Sequence, residues 1–171
     1  MLNLIYNPTY HTIISKEVKT MPNWCTNEIS ISGSEEDIEK FKQECFTEFK
    51  GDAVLDFNKV MPEPDYDKPK KDGTHNDGVQ TKLNEPGHNS DWWTWRNDNW
   101  GTKWNLVPHV DGELYTYEVS MGKDYMYLEF DTAWSPPSGI YEAIVDKYPD
   151  LTINWFYRED GVQIAGWLPY D

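Results

Sequence analysis

Asp131 and Trp134 lie three residues apart in FDTAWSPP, and Asn99 and Lys103 lie four apart in NWGTKW. A carboxylate, an amide and an ammonium beside indole walls suit a polar ligand held by stacking. If the Trp-rich segment packs beside the end of the hairpin, these four line one cleft, with Trp92 and Trp95 as further binding candidates. The plainer reading of FDTAWSPP is a strand-to-helix corner, with Asp131 bonding backbone and Trp134 filling core, and it is favoured here. Cys25 would be a nucleophile only beside a base such as His109 and in an electropositive setting. A small buried thiol at a strand entry is the simpler role. His75, His88, Asp72 and Asp77 offer donors that zinc or manganese accept, yet their spacing fits no ligand pattern, so they read as a solvated loop. GxxxxGKS/T, HExxH, GxSxG and GxGxxG do not occur. The expectation is therefore no catalytic residue, no metal and no cofactor.

Charge narrows the partners. The chain has 171 residues and a formal net charge of −15. Phosphate contacts need Lys and Arg patches, so direct nucleic-acid binding is not expected, nor is docking on an anionic membrane. Acidic runs occur at Glu35-Glu36-Asp37, at Asp111 with Glu113, and at Glu159-Asp160. Gathered on one face, they would imitate a phosphate backbone toward a basic partner; scattered, they are a solvated exterior. No signal peptide is expected, and no apolar run nears the ~20 residues of a membrane span. Cys25 and Cys45 are the only cysteines and are not in a CxxC spacing. A cytoplasmic protein with two reduced thiols is expected.

Five tryptophans fall within fifteen residues, DWWTWRNDNWGTKWN at Asp91–Asn105. Trp92 and Trp95, like Trp100 and Trp104, have spacings that share a helical face. Asn89, Ser90 or Asp91 can cap such a helix, while Gly101 argues against one helix through all five.

The elements that must position these residues follow from periodicity. Thr26–Ser32 alternates as a strand. Ser34 with Asp37 opens a helix reaching about Phe49, with Ile38, Phe41, Cys45 or Phe46, and Phe49 on its apolar face and Gly51 closing it. Phe57–Met61 is a short apolar connection. Residues from about 62 to 91 form a polar insertion. Leu114–Met121 and Tyr125–Ala133 form a hairpin around Gly122-Lys123-Asp124. Ser135 is placed to cap a helix bearing Ile140, Tyr141, Ile144, Val145 and Tyr148, which Pro149 ends. Leu151, Ile153, Trp155 and Tyr157 alternate as a strand, and Val162–Trp167 is the last. The order predicts an α+β, ferredoxin-like split βαβ sandwich with an antiparallel sheet, a Trp-rich helical insertion and an extra C-terminal strand. Residues 1–20 carry a single carboxylate, Glu17, and read as a weakly packed N-terminal extension; residues 21–171 read as one domain.

Five blocks add a resemblance. MPNWCTNEISISG (Met21–Gly33), VMPEP (Val60–Pro64), NWGTKW (Asn99–Trp104), FDTAWSPP (Phe130–Pro137) and AGW (Ala165–Trp167) are similar to YubB-type ferredoxin-like proteins of phages and conjugative plasmids, in that family's order. The resemblance implies a mobile-element accessory protein and carries over no catalytic residue. The expected function is binding to a host or defence protein with a basic surface, by acidic mimicry and Trp anchors. The alternative is an aromatic-cleft binder or hydrolase of a nucleotide-like small molecule.

Overall fold

The computed structural model describes residues 23–65, 91–108 and 117–170. The expected extension, most of the polar insertion, and His75, His88, His109, Asp72, Asp77, Asp111 and Glu113 lie outside them.

Strand β1 (Trp24–Ser32) starts two residues before the expected Thr26 and buries Cys25, Asn27, Ile29 and Ile31 on one side. Period-two alternation turns Thr26, Glu28 and Ser30 to the other side. Ser34 caps helix α1 (Glu35–Cys45): its Oγ accepts from Asp37 N at 3.1 Å and donates to Asp37 Oδ2 at 2.5 Å. Asp37 thus bonds the capping hydroxyl, and not the Ser34 backbone N–H that the Glu of a capping box would take. Ile38, Phe41 and Cys45 form the buried face.

The helix does not run on to Phe49. Phe46–Phe49 is strand β2, paired with β3 (Asp52–Leu55). Lys50 and Gly51 between them have φ of 53° and 95°. Two positive-φ residues in a row match the twist of a tight hairpin, and FTEF carries aromatic and β-branched residues that favour strand. Gly51 therefore serves this turn instead of closing the helix. The connection at Phe57–Met61 is a one-turn helix, α2 (Phe57–Val60), whose cap Asp56 accepts from Asn58 N at 3.0 Å.

Helix α3 (Asp91–Asn99) holds Trp92, Trp93 and Trp95 and stops before Gly101, at φ 85°. Trp100 and Trp104 therefore lie beyond it and share no helical face. Strands β4 (Tyr117–Met121) and β5 (Tyr125–Ala133) form the expected hairpin, closed by Gly122 N donating to Tyr125 O at 2.9 Å. Helix α4 (Ser138–Lys147) starts after both prolines, so Ser135 does not cap it; the Ser135 hydroxyl donates to Gly101 O at 2.5 Å instead. Ile140 and Ile144 are buried, while Val145 faces outward. Strand β6 (Thr152–Glu159) matches its predicted alternation, and β7 (Ile164–Leu168) begins two residues later than expected.

The sheet order is β4-β5-β1-β6-β7, with every neighbouring pair antiparallel. β1, α1, β4, β5, α4 and β6 make the split βαβ unit of a ferredoxin-like fold, and β7 lengthens one edge. The β2-β3 hairpin, α2 and α3 are inserted between α1 and β4. Helices α1 and α4 cover one sheet face, where Phe130 meets Phe57 and Trp155 edge-on at 6.2 and 5.9 Å. Such ring pairs add about 0.5–1.5 kcal/mol each beyond their buried area. Asn27, with no solvent exposure, sits inside this core. Its Nδ2 donates to Cys25 O and Thr132 Oγ1, each at 2.9 Å, and its Oδ1 accepts from Trp155 Nε1 at 3.0 Å. A fully bonded buried amide rigidifies a core without an orphan-group penalty. Among the described residues no helix is long and apolar enough to cross a membrane.

Candidate functional site

The Trp segment is knitted into the fold at one end of the sheet. Trp100 has no solvent exposure, and its indole N–H donates to Met61 O at 2.9 Å. Arg96 lies over the Trp92 and Trp100 rings at 5.1 and 4.9 Å. Its guanidinium forks onto Glu63, with Nε to Oε1 at 2.6 Å and Nη2 to Oε2 at 2.7 Å, and both partners are largely shielded. Trp95 meets Trp100 edge-on at 5.8 Å. Buried Thr102 donates to Ala133 O at 3.1 Å, and Thr132 donates to Ser135 O at 2.7 Å. Asn105, which sequence reading missed, accepts from Phe57 N at 2.9 Å and donates to Asp56 Oδ1 at 2.7 Å. Trp24 and Trp104 lie 5.9 Å apart, with the Lys103 ammonium 4.1 Å from the Trp104 ring. Burial lowers the Lys103 pKa. Four of the five family-like blocks therefore meet in this one knot.

The predicted cleft residues separate. Asn99 donates to Trp95 O at 2.8 Å and lines an open cleft of about 530 Å³ between α3 and α4. Asp98, Glu142 and Asp146 share its walls, whereas Asp131, Trp134, Lys103, Trp92 and Trp95 do not line it. Asp131 is on the opposite sheet face and accepts from the Thr26 hydroxyl at 2.9 Å, not from backbone. Trp134 is 54% exposed at φ 74°, so it does not fill core. Its N–H, donated to Asn23 O at 2.9 Å, helps hold this rarely populated conformation.

Neither thiol is set up for attack. Cys25 has no exposure, and burial first, then the Glu159 and Asp131 carboxylates, push it up to about 12 against a Thr132 hydrogen bond. Cys45 is raised by burial and meets Tyr148 Oη at 3.2 Å. A thiol with so little thiolate is inert. In the folded protein at about pH 8, an aromatic disulfide reagent is expected to leave Cys25 unmodified and to reach it only after denaturation. Rapid labelling of Cys25 in the native state would contradict this placement. Among the described residues no group of three or more His, Cys, Asp or Glu is placed to hold a metal.

The sheet face away from α1 and α4 is different in kind. Strand register lines up Glu118, Glu129, Glu28, Phe156 and Trp167 in one lateral row across all five strands. Neighbouring strands lie about 4.8 Å apart, so three carboxylates fall within roughly 10 Å. Like charges directly opposite each other destabilise a sheet. Glu28 and Glu118 make none of the described hydrogen bonds or ion pairs, and Glu129 only accepts from Tyr127 Oη at 3.4 Å. Partial desolvation, then the fields of Glu28, Glu129 and Glu118, raise the Tyr127 hydroxyl above its ordinary pKa. Trp167 is 58% exposed and touches Phe156, at 5.2 Å between centroids. Tyr125 and Tyr127 are exposed on the same face at 49% and 36%. The acidic helix start lies elsewhere. Glu35 pairs with Lys123 at 3.1 Å, Asp37 is engaged by Ser34, and Glu36 is exposed.

Residues 113–171 match the family model for the ferredoxin-like domain in Api92-like protein. That match takes in β4, β5, α4, β6 and β7, so the central strand β1 and helix α1 complete the same sandwich from outside it. A stretch of 58 residues is 31% identical to the uncharacterised protein YubB of Escherichia coli (strain K12), covering 32% of this chain and 40% of that relative. The chain thus spans well under half the length of this curated relative. No solved structure matches it.

Proposed function

We propose that this protein is a non-enzymatic accessory protein of a phage or plasmid, working in the host cytoplasm, that binds a host or defence protein through a basic surface on that partner. The observation that carries the reading is the open sheet face, where three carboxylates in lateral register adjoin the exposed Trp167. Folding alone gains nothing from opposed like charges or from a half-open indole. A cationic partner relieves the first and covers the second. The mobile-element setting is what the resemblance of the five sequence blocks implies; the similarity to YubB and to the Api92-like domain supports the ferredoxin-like relationship. This reading favours the sheet face for mimicry over Glu35-Glu36-Asp37, two of whose carboxylates already have partners.

The nucleotide-like alternative gains less support. The cleft that Asn99 lines carries Asp98, Glu142 and Asp146, which repel phosphate.

The test is capture from a bacterial lysate on immobilised protein, comparing wild type with Glu28→Gln/Glu118→Gln/Glu129→Gln. Those side chains are solvent-facing or half-buried, so the variant is expected to fold and, with repulsion removed, to be slightly more stable. A basic protein retained by wild type and lost by the variant is expected. Equal retention by both would rule out this face.

A further inference from the structure

We propose that the open sheet face seats an arginine side chain of its basic partner, with the guanidinium held between the Glu28 carboxylate and the rings of Phe156 and Trp167. The inference rests on the binding reading above and names the chemistry of that same face.

The chain contains its own template for such a seat. Arg96 is forked onto Glu63 at 2.6 and 2.7 Å while lying over two indoles at 5.1 and 4.9 Å. The sheet face offers the same kinds of group, and among the described residues no cation is paired with Glu28. Glu28 is the cross-strand partner of Phe156, and Phe156 is the cross-strand partner of Trp167. Their two rings stand 5.2 Å apart and tilted by 59°, and the indole is more than half exposed. A guanidinium is planar, weakly hydrated and able to stack on a ring while donating to a carboxylate. An ammonium also lies over an indole, as Lys103 does over Trp104, but it has no planar fork to stack on a ring while donating to a carboxylate. Glu129 and Glu118 continue the row and suit further cations along the same segment. Arg158, the cation of β6 on this face, stands in the neighbouring row opposite Thr26 and makes none of the described ion pairs. Among the described residues, Glu28 therefore has no ion-pair partner.

The probes are acetylated hexa-arginine amide and hexa-lysine amide, titrated calorimetrically into the full chain at low salt. The arginine peptide is expected to bind about fivefold more tightly, because a guanidinium stacks on the rings and donates to the carboxylate at once. Trp167→Ala is expected to remove that preference by weakening the arginine peptide more than the lysine peptide, with the circular dichroism unchanged. Glu28→Gln weakens both peptides. Equal affinity for the two peptides, or a preference that survives Trp167→Ala, overturns the guanidinium seat and leaves the acidic binding face standing. No binding of either peptide removes both. Sedimentation of the protein alone is run alongside: self-association abolished by Trp167→Ala would assign the face to a second copy of the chain and overturn the arginine proposal.

Discussion

Trp100→Ala is expected to cost about 3–5 kcal/mol, the range for truncating a fully buried large aromatic. Trp100 has no exposure, packs edge-on to Phe57 at 5.8 Å and to Trp95 at 5.8 Å, and donates to Met61 O. Truncation leaves a cavity beneath Arg96, removes one ring from the Arg96–Glu63 pair, and orphans the Met61 carbonyl. At about 2–4 °C per kcal/mol for a chain of this size, the melting temperature falls by about 10 °C. Thermal melts with a second probe of α3 would check this. A variant with wild-type stability that fails to bind a partner would make Trp100 an anchor, and the knot described here would be wrong.

Gly139→Ala is expected to be destabilising too, although the residue lies within a helix where alanine is intrinsically better by up to about 1 kcal/mol. A Cβ at Gly139 would stand 1.7 Å from Asn99 O and 2.8 Å from Asn99 C. Those are backbone atoms at the end of α3, so no rotamer change relieves the clash. α4 must withdraw from the Trp segment, which also lies close at Gly101, where a Cβ would meet Ser138 N at 2.8 Å. Overpacking of this kind costs about 1–3 kcal/mol and occasionally more. The net expectation is a loss of about 2 kcal/mol in urea unfolding, after the alanine propensity is subtracted. A stabilised Gly139→Ala would show that the two segments are not in contact.

The fold was readable where side-chain period and burial coincide. In β1, β5 and β6 the apolar residues recur every second position, and each strand buries that set. In α1 the period changes after Cys45. Phe46 and Phe49 fit either a helix or a strand, and the decision falls to Lys50-Gly51, a turn signal beyond the apolar pattern. Ser135 is a good capping residue by type, yet a closer acceptor, Gly101 O, takes its hydroxyl. No local pattern announces that acceptor, thirty-four residues away.

The candidate face was half legible. Inward Trp155 and Tyr157 require Phe156 to point outward, and inward Met126, Leu128 and Phe130 require the same of Glu129. What one sequence does not contain is register: that Glu118, Glu129 and Glu28 stand side by side is set by pairing across three strands distant in the chain. The Trp-rich segment drew attention by composition. Its side chains brace one end of the sheet, and Trp167, the lone indole of the AGW block, carries the functional reading instead.

Association kinetics with a captured basic partner test that reading most directly. Wild type and Glu28→Gln/Glu118→Gln/Glu129→Gln are compared as sodium chloride rises from about 50 to about 500 mM. Exposed charges are screened beyond a Debye length of about 8 Å at physiological salt. The wild-type association rate is expected to fall by about tenfold across this range while dissociation changes less. The triple variant is expected to start slower and to respond less to salt. An association rate indifferent to both salt and the triple change would contradict the acidic sheet face as the binding surface.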